Sequence, residues 1–432
     1  MIVPLEILEL ILLKCDGKTL LAGANVSETF KNTIEYLGKK TKLWEWCCKE
    51  DIPEEQLVEY LQTYEGYDAK EKWRHVYYNW GAWEQHDPHI LSPKLCTNIE
   101  VRRISAIAVS NKYIAVGSED GRLKVYTCNK ELLFVHRIVA VKLSKLTFIG
   151  NQRLDDSHNF SICLVVAFNN GLSILSYDGL EKRQYDILDV ISHRRVDVFG
   201  KHVCIEKVGG RMTIVEINKS CSGGYNVKDV WFTRIYSPTC TTTYNMWNGK
   251  CTFLINDRLC TVCYKSPDIT PMMEMTKGVP IKFHSPLMLD SSTTQILRDN
   301  VIINIYKNAE KSCRLSDAVI EDYVEIVILK PNKDFSIKMF NTWEIFSSNI
   351  TSTFLYGNTL LFGTSCGSVY FYRLQNWKNF DMKNYTSKQI IGKHPIISMA
   401  VKETETERKF YVCSKFAVHE IVSWIPLAGS ST

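Results

Sequence analysis

At 432 residues the chain is longer than one ordinary domain and calls for two or three units, or for a repeat array that outgrows the usual limit. Its 45% hydrophobic, 23% charged and 11% aromatic residues are a globular composition, which excludes a disordered or fibrous chain. Charge is uneven: residues 1–100 hold 11 Lys+Arg against 17 Asp+Glu, a net −6, so with +5 overall the remainder carries +11. A basic body of this kind attracts acidic peptides, phosphorylated peptides or nucleic acid.

Fifteen cysteines would suit a secreted disulfide scaffold. The N-terminal apolar run argues against that route, because Glu6 and Glu9 interrupt it and it has neither a basic lead nor a small-residue cleavage site. No uncharged apolar run approaches the length of a membrane-spanning helix. The thiols are therefore expected to be reduced, in the cytoplasm or nucleus.

In chain order, three apolar bursts at helical spacing come first: Leu5, Leu8, Ile11 and Leu12; Leu20 and Leu21; then Val26, Phe30, Ile34 and Leu37. A unit of three such helices is too small to bury much core alone. Next, Pro53 opens a helix that repeats Leu57, Tyr60, Leu61 and Tyr64 on one face, and a second begins near Asp68 with Trp73, Val76, Tyr77 and Trp80. Asp87-Pro88 and Ser92-Pro93 end the helical part, and the apolar period then changes from about 3.6 to 2.

From there one unit recurs: a β-rich run, a tight polar turn and a second β-rich run. It reads IAVGSEDGRLKVY from Ile114, VVAFNNGLSILSY from Val165, CIEKVGGRMTIVEI from Cys204, FLINDRLCTVCY from Phe253, LLFGTSCGSVYFY from Leu360 and FYVCSKFAVHEIV from Phe410. The turns carry the residues that hairpins need. A further unit is expected where VIINIY and YVEIVIL flank an insertion near residues 300–330, which makes seven at a period of roughly 40–50, the signature of a β-propeller. First strands are expected near Ile104, Val141, Val190, Cys240, Ile281, Ile350 and Ile396, with Asn98 to Arg102 supplying the last unit's missing outer strand. The fold class is thus α+β and multidomain, with a small all-α head at 1–50, linker helices at 51–94 and an all-β, seven-bladed propeller at 95–426.

Two resemblances bear on function. The opening Pro4-Leu5-Glu6-Ile7-Leu8, the leucine pair after the turn at Asp16-Gly17, the helix start at Val26-Ser27 with Phe30 following, and the Leu43-Trp44 close resemble an F-box. The usual pattern has a leucine before the proline, tryptophan at the position of Phe30 and cysteine at that of Ser27. The recurring units resemble WD repeats, whose turn of the Asp-Gly type separates the second and third strands of a blade, although none closes with Trp-Asp. Together they imply an F-box protein with a degenerate WD-repeat propeller, the substrate receptor of an SCF-type (Skp, cullin, F-box) ubiquitin ligase. The resemblance implies adaptor contacts from Pro4, Leu5, Ile7, Leu8, Ile11, Val26, Phe30 and Trp44. An interaction scaffold without ligase role is the alternative.

No catalytic or metal constellation emerges, so neither enzyme activity nor a cofactor is expected. Cys260 and Cys263 form a CxxC inside an expected strand, where they would point to opposite faces. Gly38-Lys39-Lys40-Thr41 lacks the strand and glycine of a phosphate loop. Candidate target contacts are the basic residues at turns and connections, Arg102, Arg103, Arg122, Arg194, Arg195, Arg211, Arg258 and Lys393, whose donors suit an acidic or phosphorylated protein. Interleaved aromatics are missing from these turns, so nucleic acid is the weaker reading, and no membrane partner is expected.

Overall fold

The computed structural model describes residues 4–63, 69–85, 88–110, 112–149, 162–168, 171–177, 182–186, 193–207, 211–219, 225–234, 244–247, 249–255, 258–264, 273–275, 294–298, 301–306, 323–329, 335–404 and 407–424. Six helices come first: α1 (Leu5–Leu12), α2 (Gly17–Ala24), α3 (Glu28–Lys40), α4 (Leu43–Asp51), α5 (Glu54–Thr63) and α6 (Ala69–Gln85). Their ends follow local chemistry. Pro4 sets the entry to α1, the Asp16 carboxylate accepts the Thr19 N–H at 2.7 Å to start α2, and Ser27 Oγ accepts the Phe30 N–H at 3.3 Å to start α3. Lys39 and Lys40 sit in the last turn of α3, where cations complement the exposed carbonyls.

Leu8, Leu12, Leu20, Ile34, Leu37, Leu43 and Trp44 form one buried cluster with Tyr60, Val76, Tyr77 and Trp80 of α5 and α6. The Trp44 ring lies 5.4 Å from that of Tyr77 and 5.3 Å from that of Tyr78, which ties the head to the long helix α6. The cluster extends to Tyr356, Phe354 and Val401 of the β region, so the helices find their missing core partly on the sheets. Among the described residues no helix is long and apolar enough to cross a membrane.

The described strands then group into seven antiparallel sheets. The first runs through Ile104–Val109, Tyr113–Ser118, Arg122–Thr127 and Leu132–Arg137. The second to sixth, each of four strands, occupy residues 143–186, 193–234, 244–275, 294–341 and 350–390, and the seventh is built on residues 396–424. Second and third strands pair as hairpins, for example Tyr113–Ser118 with Arg122–Thr127 and Thr359–Thr364 with Ser368–Arg373. VIINIY and YVEIVIL pair as the middle strands of the fifth sheet. Ile281 lies outside the described residues; the first described strand of that sheet is Thr294–Arg298.

Five neighbouring pairs of sheets share apolar clusters among the described residues: first and second (Ala108 with Leu143), second and third (Val165 with Val203), third and fourth (Ile214 with Cys251), fifth and sixth (Ile326 with Phe362) and sixth and seventh (Phe371 with Phe410). The first strands of the fourth and fifth sheets lie side by side, and the seventh returns to the first through Tyr411, Cys413 and Ile104. One expectation is corrected here. The outer strands of the seventh sheet are His89–Ile90 and Lys94–Leu95, both antiparallel to Val418–Trp424, and not residues 98–102. Ile99 and Val101 are instead buried in the seam between the seventh and first sheets, where their apolar side chains gain more than at an edge.

Candidate interaction surfaces

The first surface is on α1. Leu8 and Leu12, four residues apart, point into the head core, while Ile7, Leu10 and Ile11, spaced i, i+3, i+4, form a second stripe that is 48%, 62% and 52% exposed. Leu5, Leu13 and Val26 are exposed as well, Val26 at 72%. One helix thus carries two apolar faces, of which its own chain covers one. Of the residues assigned to adaptor contact, Pro4, Leu5, Ile7, Ile11 and Val26 are exposed and Phe30 is partly buried against the head core. Leu8 and Trp44 are interior residues that hold the exposed face in place rather than form it. Leu10 and Leu13 belong to the outward set and follow from the same helical spacing once Leu8 and Leu12 are fixed as core.

The linker helices α5 and α6, on which the head packs, are fastened to the sheets by a buried polar bolt. Arg408, in the second strand of the seventh sheet, is fully buried. Its Nε donates to Glu403 Oε1 at 2.9 Å, Nη1 to Asn358 Oδ1 at 3.1 Å and to Thr359 Oγ1 at 3.2 Å, and Nη2 to the Tyr60 hydroxyl of α5. The guanidinium lies 3.8 Å from the centre of the Trp83 ring of α6. Asn79 of α6 donates to the same Glu403 oxygen at 2.6 Å, and Asn358 donates to the Trp83 carbonyl at 3.0 Å. Burial opposes charge on Arg408, but Glu403, Tyr60 and Tyr356 outweigh it and hold the guanidinium above its already high ordinary pKa. Nothing in the sequence marks Arg408 out from the other basic residues; its bond to Tyr60 spans 348 positions.

The second surface is the face onto which the turns between second and third strands open. Gly121 has φ +78, and a Cβ there would lie 1.7 Å from the Val139 carbonyl oxygen, so only glycine lets the turn approach the connection to the second sheet. Its carbonyl accepts the Ile138 N–H at 3.0 Å, while on the other side the Glu119 N–H donates to the Arg103 carbonyl at 2.9 Å. The sixth sheet repeats this arrangement: the Ser365 N–H donates to the Asn349 carbonyl and the Gly367 carbonyl accepts from Ile391 N–H, both at 2.9 Å. The Ile104 N–H donates to the Lys415 carbonyl at 2.8 Å, which joins the turn of the seventh sheet to the entry of the first. Turns and inter-sheet connections therefore share one face across the sixth, seventh and first sheets.

On this face Arg102, Arg103 and Lys393 are exposed and make no ion pair among the described residues. Arg103 sits at φ +53, a conformation held by the hydrogen bond of its carbonyl to the turn. Arg122 differs: its Nε is 3.1 Å from Asp120 Oδ2, a solvent-exposed ion pair that gives it an acidic neighbour within its own turn. Lys415 pairs with Glu119 at 3.5 Å. Arg211 and Arg258 begin the third strands of the third and fourth sheets, the position that Arg122 holds in the first, and Arg194 and Arg195 lie near the start of the third sheet's first strand. Register thus places the whole set at equivalent ends of their sheets. Phe416, 53% exposed, meets the His394 ring at 4.9 Å, an aromatic pair among the cations that the turn pattern did not reveal.

Among the described residues of this face, the turn of the sixth sheet carries an exposed cysteine, Cys366. Burial raises the Cys366 pKa, but hydrogen bonds with Thr364, Ser348 and Ser368 outweigh it and bring the thiol down to about 7. Elsewhere Cys47 is pushed up to about 12 by burial. Cys260 is buried and Cys263 exposed, on opposite faces of their strand.

No known protein family matches the chain, and no curated protein does. Among solved structures it is similar to the N-terminal domain of Nup159, with TM-score 0.50 and 12% identity over 79% of this chain and 96% of that one. It is also similar to Sqt1 of Saccharomyces cerevisiae, with TM-score 0.49 and 10% identity over 78% and 99%. The likeness to Nup159 shows the fold: a WD-like β-propeller follows the helical region.

Proposed function

We propose that this chain is a target-binding subunit of an SCF-type ubiquitin ligase, in which the F-box-like head docks a Skp-type adaptor and a seven-bladed propeller holds the target. The observation that carries the reading is the exposed stripe Ile7, Leu10 and Ile11, on a head whose other face is sealed in a core shared with α5, α6 and the sheets. An apolar stripe left outward on a well-packed unit is a cost in water unless a constant partner covers it. The seven sheets, each packed on the next and the last on the first, support the seven-bladed ring. Its turn face, with Arg102, Arg103 and Lys393 free of ion pairs among the described residues, suits an acidic or phosphorylated protein target. The chain supplies no chemistry: holding the target near a charged conjugating enzyme raises the effective concentration of its lysines.

The test is binding of purified Skp-type adaptor to the intact chain and to Ile7→Asp/Ile11→Asp, whose positions are exposed and whose fold is therefore kept. The intact chain is expected to form a stable complex and the variant to lose it. An intact chain that does not bind the adaptor would leave the scaffold reading, in which the propeller joins other proteins without a ligase.

A further inference from the structure

Cys204 and Cys251 lie in the seam between the third and fourth sheets, away from α1 and from the turns of the sixth, seventh and first sheets. The first strands of the two sheets, His193–Phe199 and Tyr244–Trp247, lie side by side. Each cysteine sits one strand further out, Cys204 opposite Asp197 and Cys251 opposite Met246. Both are 0% exposed in one cluster with Met212, Ile214 and Val262, and the two thiols share a hydrogen bond. Two residues from different sheets thus bring sulfur to sulfur.

The chemistry open to this pair is narrow. A buried thiol walled only by apolar groups is inert, but one that meets a second thiol has its reaction partner already in place. A disulfide holds its sulfurs at about 2.05 Å, so thiols in hydrogen-bond contact start close to the bonded geometry. Burial keeps the Cys204 thiol well above its ordinary pKa, so the closed pair is protonated and slow. Exchange starts when the seam opens locally. One cysteine thiolate attacks a small disulfide such as oxidised glutathione and expels a glutathione thiolate; the second cysteine then displaces the other glutathione. Two protein thiols become one disulfide, and one glutathione disulfide becomes two thiols. We propose that Cys204 and Cys251 are a redox pair of this kind, closing into a covalent stitch between the third and fourth sheets.

The full chain equilibrated with oxidised glutathione tests this, with and without urea below the unfolding transition, followed by alkylation and mass-spectrometric mapping without reduction. The peptides carrying Cys204 and Cys251 are expected to be joined, two hydrogens lighter than their sum, quickly with urea and more slowly without it. Glutathione on the exposed Cys366 reports that exchange has run. The oxidised chain is expected to melt a few degrees above the reduced one, because a cross-link restricts the unfolded state, and Cys251→Ala to lose that gain. Cys204 and Cys251 recovered as alkylated thiols in the urea arm, either one joined to Cys260 or still carrying glutathione, or a melting gain kept by Cys251→Ala would each overturn the proposal.

Discussion

Arg408 shows how far one side chain can govern this molecule. Fully enclosed with Glu403, it joins two helices to two sheets, and removing one partner of such a pair leaves the other charge stranded. Arg408→Met is expected to destabilise the fold by about 3–5 kcal/mol in chemical denaturation, and Arg408→Met/Glu403→Gln by less than the sum of the single changes, because the pair acts as a unit. Cys366 is the residue-scale counterpart on the open face. Thiolate is the reactive form, so its alkylation rate should rise with pH and reach half its maximum near pH 7, ahead of the buried Cys47 at about 12. Mass spectrometry after limited alkylation checks this; first modification at Cys47 would contradict the hydrogen-bond origin of the shift.

Helix α1 separates two kinds of leucine and isoleucine that look alike in sequence. Leu8→Ala removes core contacts and is expected to cost about 2–5 kcal/mol, whereas Ile11→Ala touches an exposed site and should stay within about 0.5 kcal/mol. Thermal unfolding of the two variants distinguishes them, and it also explains why a charge at Leu8 is a poor probe of docking: it would dismantle the head before any partner was tested. Periodicity sufficed to place α1–α3, α5 and α6, though not α4 (Leu43–Asp51), and the turn residues around Gly121 and Gly367 sufficed to place the hairpins, because both signals are local. What stayed hidden was non-local. Which face of α1 turns inward depends on α3, and the outer strands at 89–95 were lost because two-residue strands carry no period and their partner lies some 330 residues away.

At the scale of the whole molecule, the helical head is no loosely tethered module. Tyr60, Asn79 and Trp83 are planted among residues of the sixth and seventh sheets. Head and body are therefore expected to unfold in one transition, with the helical far-UV signal and tryptophan fluorescence changing together. An earlier, separate loss of helix would show that the bolt does not couple them. The same rigidity fixes the separation between the α1 stripe and the turn face, so whatever docks at one is held in a set orientation to the other.

The two short strands at His89–Ile90 and Lys94–Leu95 have a consequence for how the chain is made. They leave the ribosome about 330 residues before Val418–Trp424, the strand they must join. At about 5–20 residues per second that is roughly 15–65 s of waiting, by the end of which six sheets have been made while the rim strands at 89–95 are still unmated. Nascent chains of this protein should thus depend on chaperones that shield bare strand edges until the C-terminus arrives.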